Sequence, residues 1–129
     1  MHQDHTPRPK ELRVSKDRRE LTISFTDGAQ YTIPAEALRV FSPSAEVQGH
    51  SPEQRKLEHG KREVAILQVI PTGNYAVRIA FDDMHDTGIF TWTYLAEIGA
   101  DLEQRMAAYE GELAAKGLSR DKVKAQGRS

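Results

Sequence analysis

A change of hydrophobic period near Trp92 limits what this 129-residue chain can fold into. Before it, apolar residues recur at every second position, the period of a strand; after it they recur at every third or fourth, the period of a helix. Tyr75, Val77, Ile79 and Phe81 alternate with Ala76, Arg78 and Ala80 in the clearest half-buried strand. Leu12 and Val14, then Leu21, Ile23 and Phe25, predict two more strands joined around Asp17–Glu20. Asp27-Gly28 is a tight-turn pair leading to a third, with Tyr31 and Ile33. Pro34 suits the first position of a short helix carrying Ala37, Leu38 and Phe41, which Pro43 ends. Val64, Ile66 and the run to Ile70 predict a strand, Pro71–Asn74 a turn, and Ile89-Phe90 a brief final strand.

From Trp92 onward, Trp92, Leu95 and Ile98 share one helical face, with Gly99 as a break. Leu102, Met106, Tyr109 and Leu113 form a second stripe, with Asp101 placed to cap it and Gly117 to end it. Strands first and helices last predict an α+β fold: a small antiparallel sheet of five to six short strands, a short helix after the third, and C-terminal helices packed on the sheet. The expected organisation is a loose tail over 1–9, one domain over 10–116 and a flexible basic tail over 117–129. Residues 42–63 have no clean period; a connection of that length is functional, mobile or partly structured.

Eighteen basic against nineteen acidic residues leave a net charge of −1, without the basic excess of a nucleic-acid binder. The absence of cysteine removes disulfides, thiolate zinc sites and cysteine nucleophiles. No apolar run approaches the roughly 18 residues of a membrane span. The N-terminus lacks a secretory layout, so the cytoplasm is the expected compartment.

Two polar segments, Leu38–His50 and Asp82–Trp92, look chemical. Asp83, His85 and Asp86, with His50, could hold zinc or iron, although the ligand set is incomplete and a solvated turn suits Asp and Gly equally well. His50 and His59 flank a charge-rich loop with Arg55, Lys56, Lys61 and Arg62 that favours solvation. Gly49 and Gly88 are expected to supply unusual backbone angles. Trp92, Tyr94 and Tyr109 fit core packing better than a ligand pocket. Ser42 and Ser44 read as exposed hydroxyls without a visible base or orienting carboxylate, which gives a hydrolase no footing.

Those segments, with Gly60–Val64 and Gly73–Val77, resemble the gamma-butyrobetaine hydroxylase-like N-terminal domain family, formerly a domain of unknown function. The similarity runs from about Pro9 to Leu113. In carnitine-pathway hydroxylases this domain is an accessory module before an iron- and 2-oxoglutarate-dependent catalytic domain. There it holds zinc with three cysteines and a histidine. The resemblance matches the histidine to His85 and the cysteines to Ser42, Ser44 and Val47, a set that cannot replace three thiolates. A family glycine falls at Met84. Fusion of this domain type to Mrp-like P-loop ATPases implies an alternative role as an adaptor in iron–sulfur cluster assembly.

The leading expectation is a non-catalytic accessory or protein-interaction module. Its surface would use Arg39, Ser42, Ser44, Glu46, His50, His85 and Trp92. The partner is a protein, with neither nucleic acid nor membrane. A metal-binding domain is the alternative, and an oxygenase fragment, lacking a visible two-histidine, one-carboxylate set, stands last.

Overall fold

A computed structural model describes residues 7–49 and 52–122. The six expected strands form two three-stranded antiparallel sheets. The first joins β1 (Pro9–Val14), β2 (Glu20–Phe25) and β3 (Gln30–Pro34) in that order. The second joins β4 (Ile66–Thr72), β5 (Ala76–Phe81) and β6 (Gly88–Thr91). Helix α1 (Ala35–Val40) follows the third strand, and α3 (Trp92–Ala100) and α4 (Leu102–Ala115) close the fold.

Alternation decides which faces are buried. Leu21, Ile23, Phe25 and Ile33 from the first sheet meet Val77, Ile79, Phe81 and Phe90 from the second in one core with Leu38, Trp92, Leu95 and Ile98. The outer face of the first sheet is polar, with Thr22 and Thr32 hydroxyls 3.0 Å apart and Ser24 donating to Gln30 at 3.0 Å. A backbone bond from Ile66 to the Arg18 carbonyl ties the second sheet to the β1–β2 turn.

Helix α1 matters most for the site. All six of its residues are buried, including Glu36 and Arg39. Two charges on a helix with no solvated face require partners from elsewhere in the chain. Pro34 precedes this helix as its N-cap, because the proline still belongs to β3.

Several local expectations change. Gly99 does not break α3: a Cβ there would lie 2.4 Å from Tyr31 Cγ, so glycine lets the helix approach β3. Asp101 makes no side-chain cap; its carboxylate accepts from Arg105 Nε at 2.6 Å instead. The long 42–63 segment is partly structured, holding α2 (Ala45–Gln48) and a 3-10 turn over Pro52–Gln54. The expected tail from 117 is not loose throughout. Residues 118–122 fold back, with Gly60 donating to the Ser119 carbonyl and Arg62 to that of Arg120. Arg120 supplies the physical reason, because its guanidinium pairs with the buried Glu36.

Candidate functional site

The two polar segments meet. Residues 39–48 run through the end of α1 and beyond it, residues 82–87 connect β5 to β6, and three sets of side-chain bonds join them. Ser42 Oγ lies 2.9 Å from His85 Nε2, and His85 Nδ1 lies 3.2 Å from Glu46 Oε1. Ser44 Oγ lies 2.6 Å from Thr87 Oγ1 and also accepts the Glu46 N–H, capping α2. Arg39 Nε donates to Asp83 Oδ2 at 2.8 Å, which Lys61 Nζ approaches at 2.7 Å.

Arg39 is the hub. Its Nη2 pairs with Glu58 at 3.4 Å, and its Nη1 is buried without a partner. Asp83 in turn accepts the His85 N–H, which fixes the turn that presents the imidazole. The ring rests on Phe81, with centroids 6.2 Å apart. The proton positions follow from the network. The Glu46 carboxylate only accepts, so a neutral ring facing it is assigned its proton on Nδ1. Nε2 is then left to accept from the Ser42 hydroxyl.

Ser42, His85 and Glu46 therefore have the connectivity of nucleophile, base and orienting carboxylate. Their burial reverses that order. Ser42 is 0% exposed, whereas the Glu46 side chain is 63% exposed. A methyl group on Gly88 would lie 2.4 Å from Ser42 Oγ, so the hydroxyl is walled in on that side. The relay joins the two segments. Ser42 and Ser44 are buried, not exposed as expected, because each hydroxyl is consumed across the junction.

Other expected site residues separate. Arg39, Ser42, Ser44 and His85 lie beneath the surface and build it from within, while Glu46 reaches solvent. Trp92 belongs to the core and donates its indole N–H to the Asn74 carbonyl. His50 lies outside the described residues. Asp86 turns towards Arg78, 3.8 Å away, not towards His85's partners. Lys61, Glu58 and Thr87 are members that sequence reasoning missed; a charge-rich stretch gives no linear sign that two of its residues fold inward. Gly88 has no left-handed φ and is required for space, whereas Gly49, at φ 69°, supplies the unusual angle expected of it.

Zinc does not fit these residues. Ser42 and His85 satisfy each other, Val47 offers a buried hydrocarbon, and neutral hydroxyls are poor replacements for thiolates. Among the described residues, no three His, Asp or Glu side chains converge as a metal set. The Asp83 carboxylate is already clasped by two cations.

A model of the gamma-butyrobetaine hydroxylase-like N-terminal family matches residues 12–96. The chain belongs to that family. Two proteins with NMR solution structures are similar to this member, both with a TM-score of 0.79. One is 42% identical, with 96% of this chain and 98% of that chain covered. The other is 37% identical, with 100% and 96% covered. A crystal structure of a protein of unknown function from Acidithiobacillus ferrooxidans, of the DUF971 family, is 35% identical with a TM-score of 0.61. That likeness covers 72% of this chain and 93% of the other. No curated protein matches. Both joined segments lie within the matched residues, whereas the strap over 118–122 lies beyond them. Among the described residues, no helix is long and apolar enough to cross a membrane.

The site has a defined pH response. Burial, then the Arg39 charge, holds His85 below the ordinary imidazole value, against Glu46, Asp83 and Glu58. Burial acts to raise Asp83, but the Lys61 hydrogen bond and the Arg39 charge outweigh it and hold the carboxyl below its ordinary range. As pH falls through about 6.5, the unfolded chain protonates this histidine before the folded one does. His85 thus subtracts stability from about pH 6.5 down to its lower folded value. Asp83 adds a further loss below its ordinary 3.8. Urea midpoints at pH 7.5 and 5.5 should differ less for His85→Gln than for the wild type; an equal difference would place the response elsewhere.

Proposed function

We propose that the chain is a non-catalytic, protein-interaction module of the cytoplasm. Its contact surface is the exposed skin over the joined 43–49, 59–61 and 82–87 segments. Met84 carries this reading. Its side chain is 87% exposed, and its backbone sits at φ 74°, where a residue other than glycine is strained by roughly 1 kcal/mol or more. Local folding gains nothing from an apolar side chain held in water at a costly backbone angle. A partner that buries it does. The clasp beneath keeps the turn rigid, so the surface is formed before binding and little ordering entropy is lost.

Met84→Gly should raise the thermal midpoint by roughly 2–4 °C through relief of backbone strain, as seen by calorimetry. The interaction itself is tested by affinity capture from cell extract. Wild-type chain should retain a discrete protein that Met84→Asp and Met84→Lys both lose with unchanged melting. Thr22→Lys, on the polar face of the first sheet, should retain it. Equal capture by all four proteins would refute the surface.

A further inference from the structure

The chain returns on itself after α4. Gly117 turns at φ 69°, and Leu118 donates back to the Leu113 carbonyl. The next residues bend at Arg120 and Asp121 and lie beside 60–62. Gly60 N–H donates to the Ser119 carbonyl at 2.9 Å, and Arg62 N–H to the Arg120 carbonyl at 3.0 Å. Arg120 forks onto Glu36, Nη2 to Oε1 at 2.7 Å and Nε to Oε2 at 2.8 Å. Arg62 Nε meets Asp121 Oδ1 at 2.6 Å. Asp17, Arg19, Glu20 and Pro34 complete the rim of a cavity of about 420 Å³.

We propose that this groove is a receptor for an arginine-bearing peptide, filled in cis by Ser119–Asp121 and open to a partner's Ser-Arg-Asp-like segment when the strap lifts. Backbone donors from 60 and 62 hold two successive carbonyls of a bent chain, which gives affinity without side-chain preference. The buried Glu36 carboxylate supplies the selection, because a planar guanidinium satisfies both its oxygens and a lysine satisfies one. The Glu36 side chain is 5% exposed and that of Arg120 25%, so the receptor half is built into the core and the ligand half sits at its rim. Glu36 left alone would be a buried unpaired charge, so an arginine in trans is favoured over an empty groove. Of the strap, Ser119, Asp121 and Lys122 are exposed, so it opens at lower cost than the sheets. Lys61 lies between the two donors, and its ammonium holds Asp83, which joins the groove to the clasp described above.

The probe is a fluorescent peptide with the sequence of residues 117–129, added to full-length protein. Wild type should bind it weakly because the groove is filled, and Arg120→Ala at least tenfold more tightly. A peptide carrying Arg120→Lys should lose at least tenfold, and Glu36→Gln protein should bind neither. A folded Arg120→Ala protein that ignores the peptide, or binds both peptides equally, would overturn the proposal. Should Arg120→Ala fail to fold, amide exchange of the wild type decides. Gly60 and Arg62 N–H should exchange by a local opening insensitive to low denaturant; exchange only through global unfolding would make the strap a permanent wall and end the proposal.

Discussion

Arg39→Ala should remove about 3–5 kcal/mol of stability, the range for breaking a buried ion pair from one side. The side chain is 7% exposed and serves two carboxylates at once. Without it, Glu58, itself 8% exposed, keeps only a distant Lys56 at 3.9 Å. Asp83 keeps Lys61 but loses the guanidinium that fixes its orientation towards the His85 N–H. For a chain of this size the loss corresponds to a midpoint lower by on the order of 10 °C or more. Arg39→Lys should recover little, because lysine lacks the planar fork that meets Asp83 from Nε and Glu58 from Nη2. Chemical denaturation with an unchanged slope is the measurement. Arg13→Ala, which removes an exposed pair with Glu11, is the comparison and should stay within about 0.5 kcal/mol. Removal of the Arg39 charge should also let His85 titrate closer to its ordinary value, since that charge is the second cause of the depression.

Gly88→Ala should cost about 1–3 kcal/mol through overpacking. The new Cβ would lie 2.4 Å from Ser42 Oγ and 3.1 Å from Phe90 Cε1. Ser42 is fully buried and held by His85, so its hydroxyl has nowhere to retreat. Ser42→Ala alone should cost about 1 kcal/mol by leaving His85 Nε2 without its donor. Ser42→Ala combined with Gly88→Ala should be less damaging than the sum, with a coupling of roughly 0.5–3 kcal/mol, because the atom that clashes is gone. Additive costs would mean that the glycine is needed for some other reason.

The sequence carried the architecture because each element has its own period. Val77, Ile79 and Phe81 lie inside, but Ala76 and Ala80 at the alternate positions are buried too and Tyr75 is exposed, so β5 is covered on both faces instead of half-buried; Leu95 and Ile98 share the buried face of α3. It also located the two segments that meet, since turn residues beside apolar runs stand out. Their chemistry was not legible in the same way. Ser42 and His85 are 43 residues apart, so nothing local announces that each satisfies the other. Arg39 and Glu36 lie at an amphipathic spacing on a six-residue helix, and only tertiary packing shows that no face of it is solvated. Glu58 and Lys61 sit in a stretch whose charge implies water, yet their partners are buried or half-buried groups 19 and 22 residues away in sequence, Arg39 and Asp83. Resemblance to the family added what periodicity could not, by matching Ser42 and His85 to one site, and the fold brings these two within 2.9 Å.

We propose that a hydrogen-bonded relay, and not a metal ion, joins the two segments beneath the proposed contact surface. Nitrogen-15 NMR of the histidine rings tests it most directly, recorded on untagged protein with excess zinc and then with chelator. The relay predicts a neutral His85 protonated at Nδ1, with Nε2 accepting the Ser42 hydroxyl, and the same ring shifts and melting temperature in both samples. A zinc-dependent shift at His85 Nε2, accompanied by a rise in melting temperature, would contradict it.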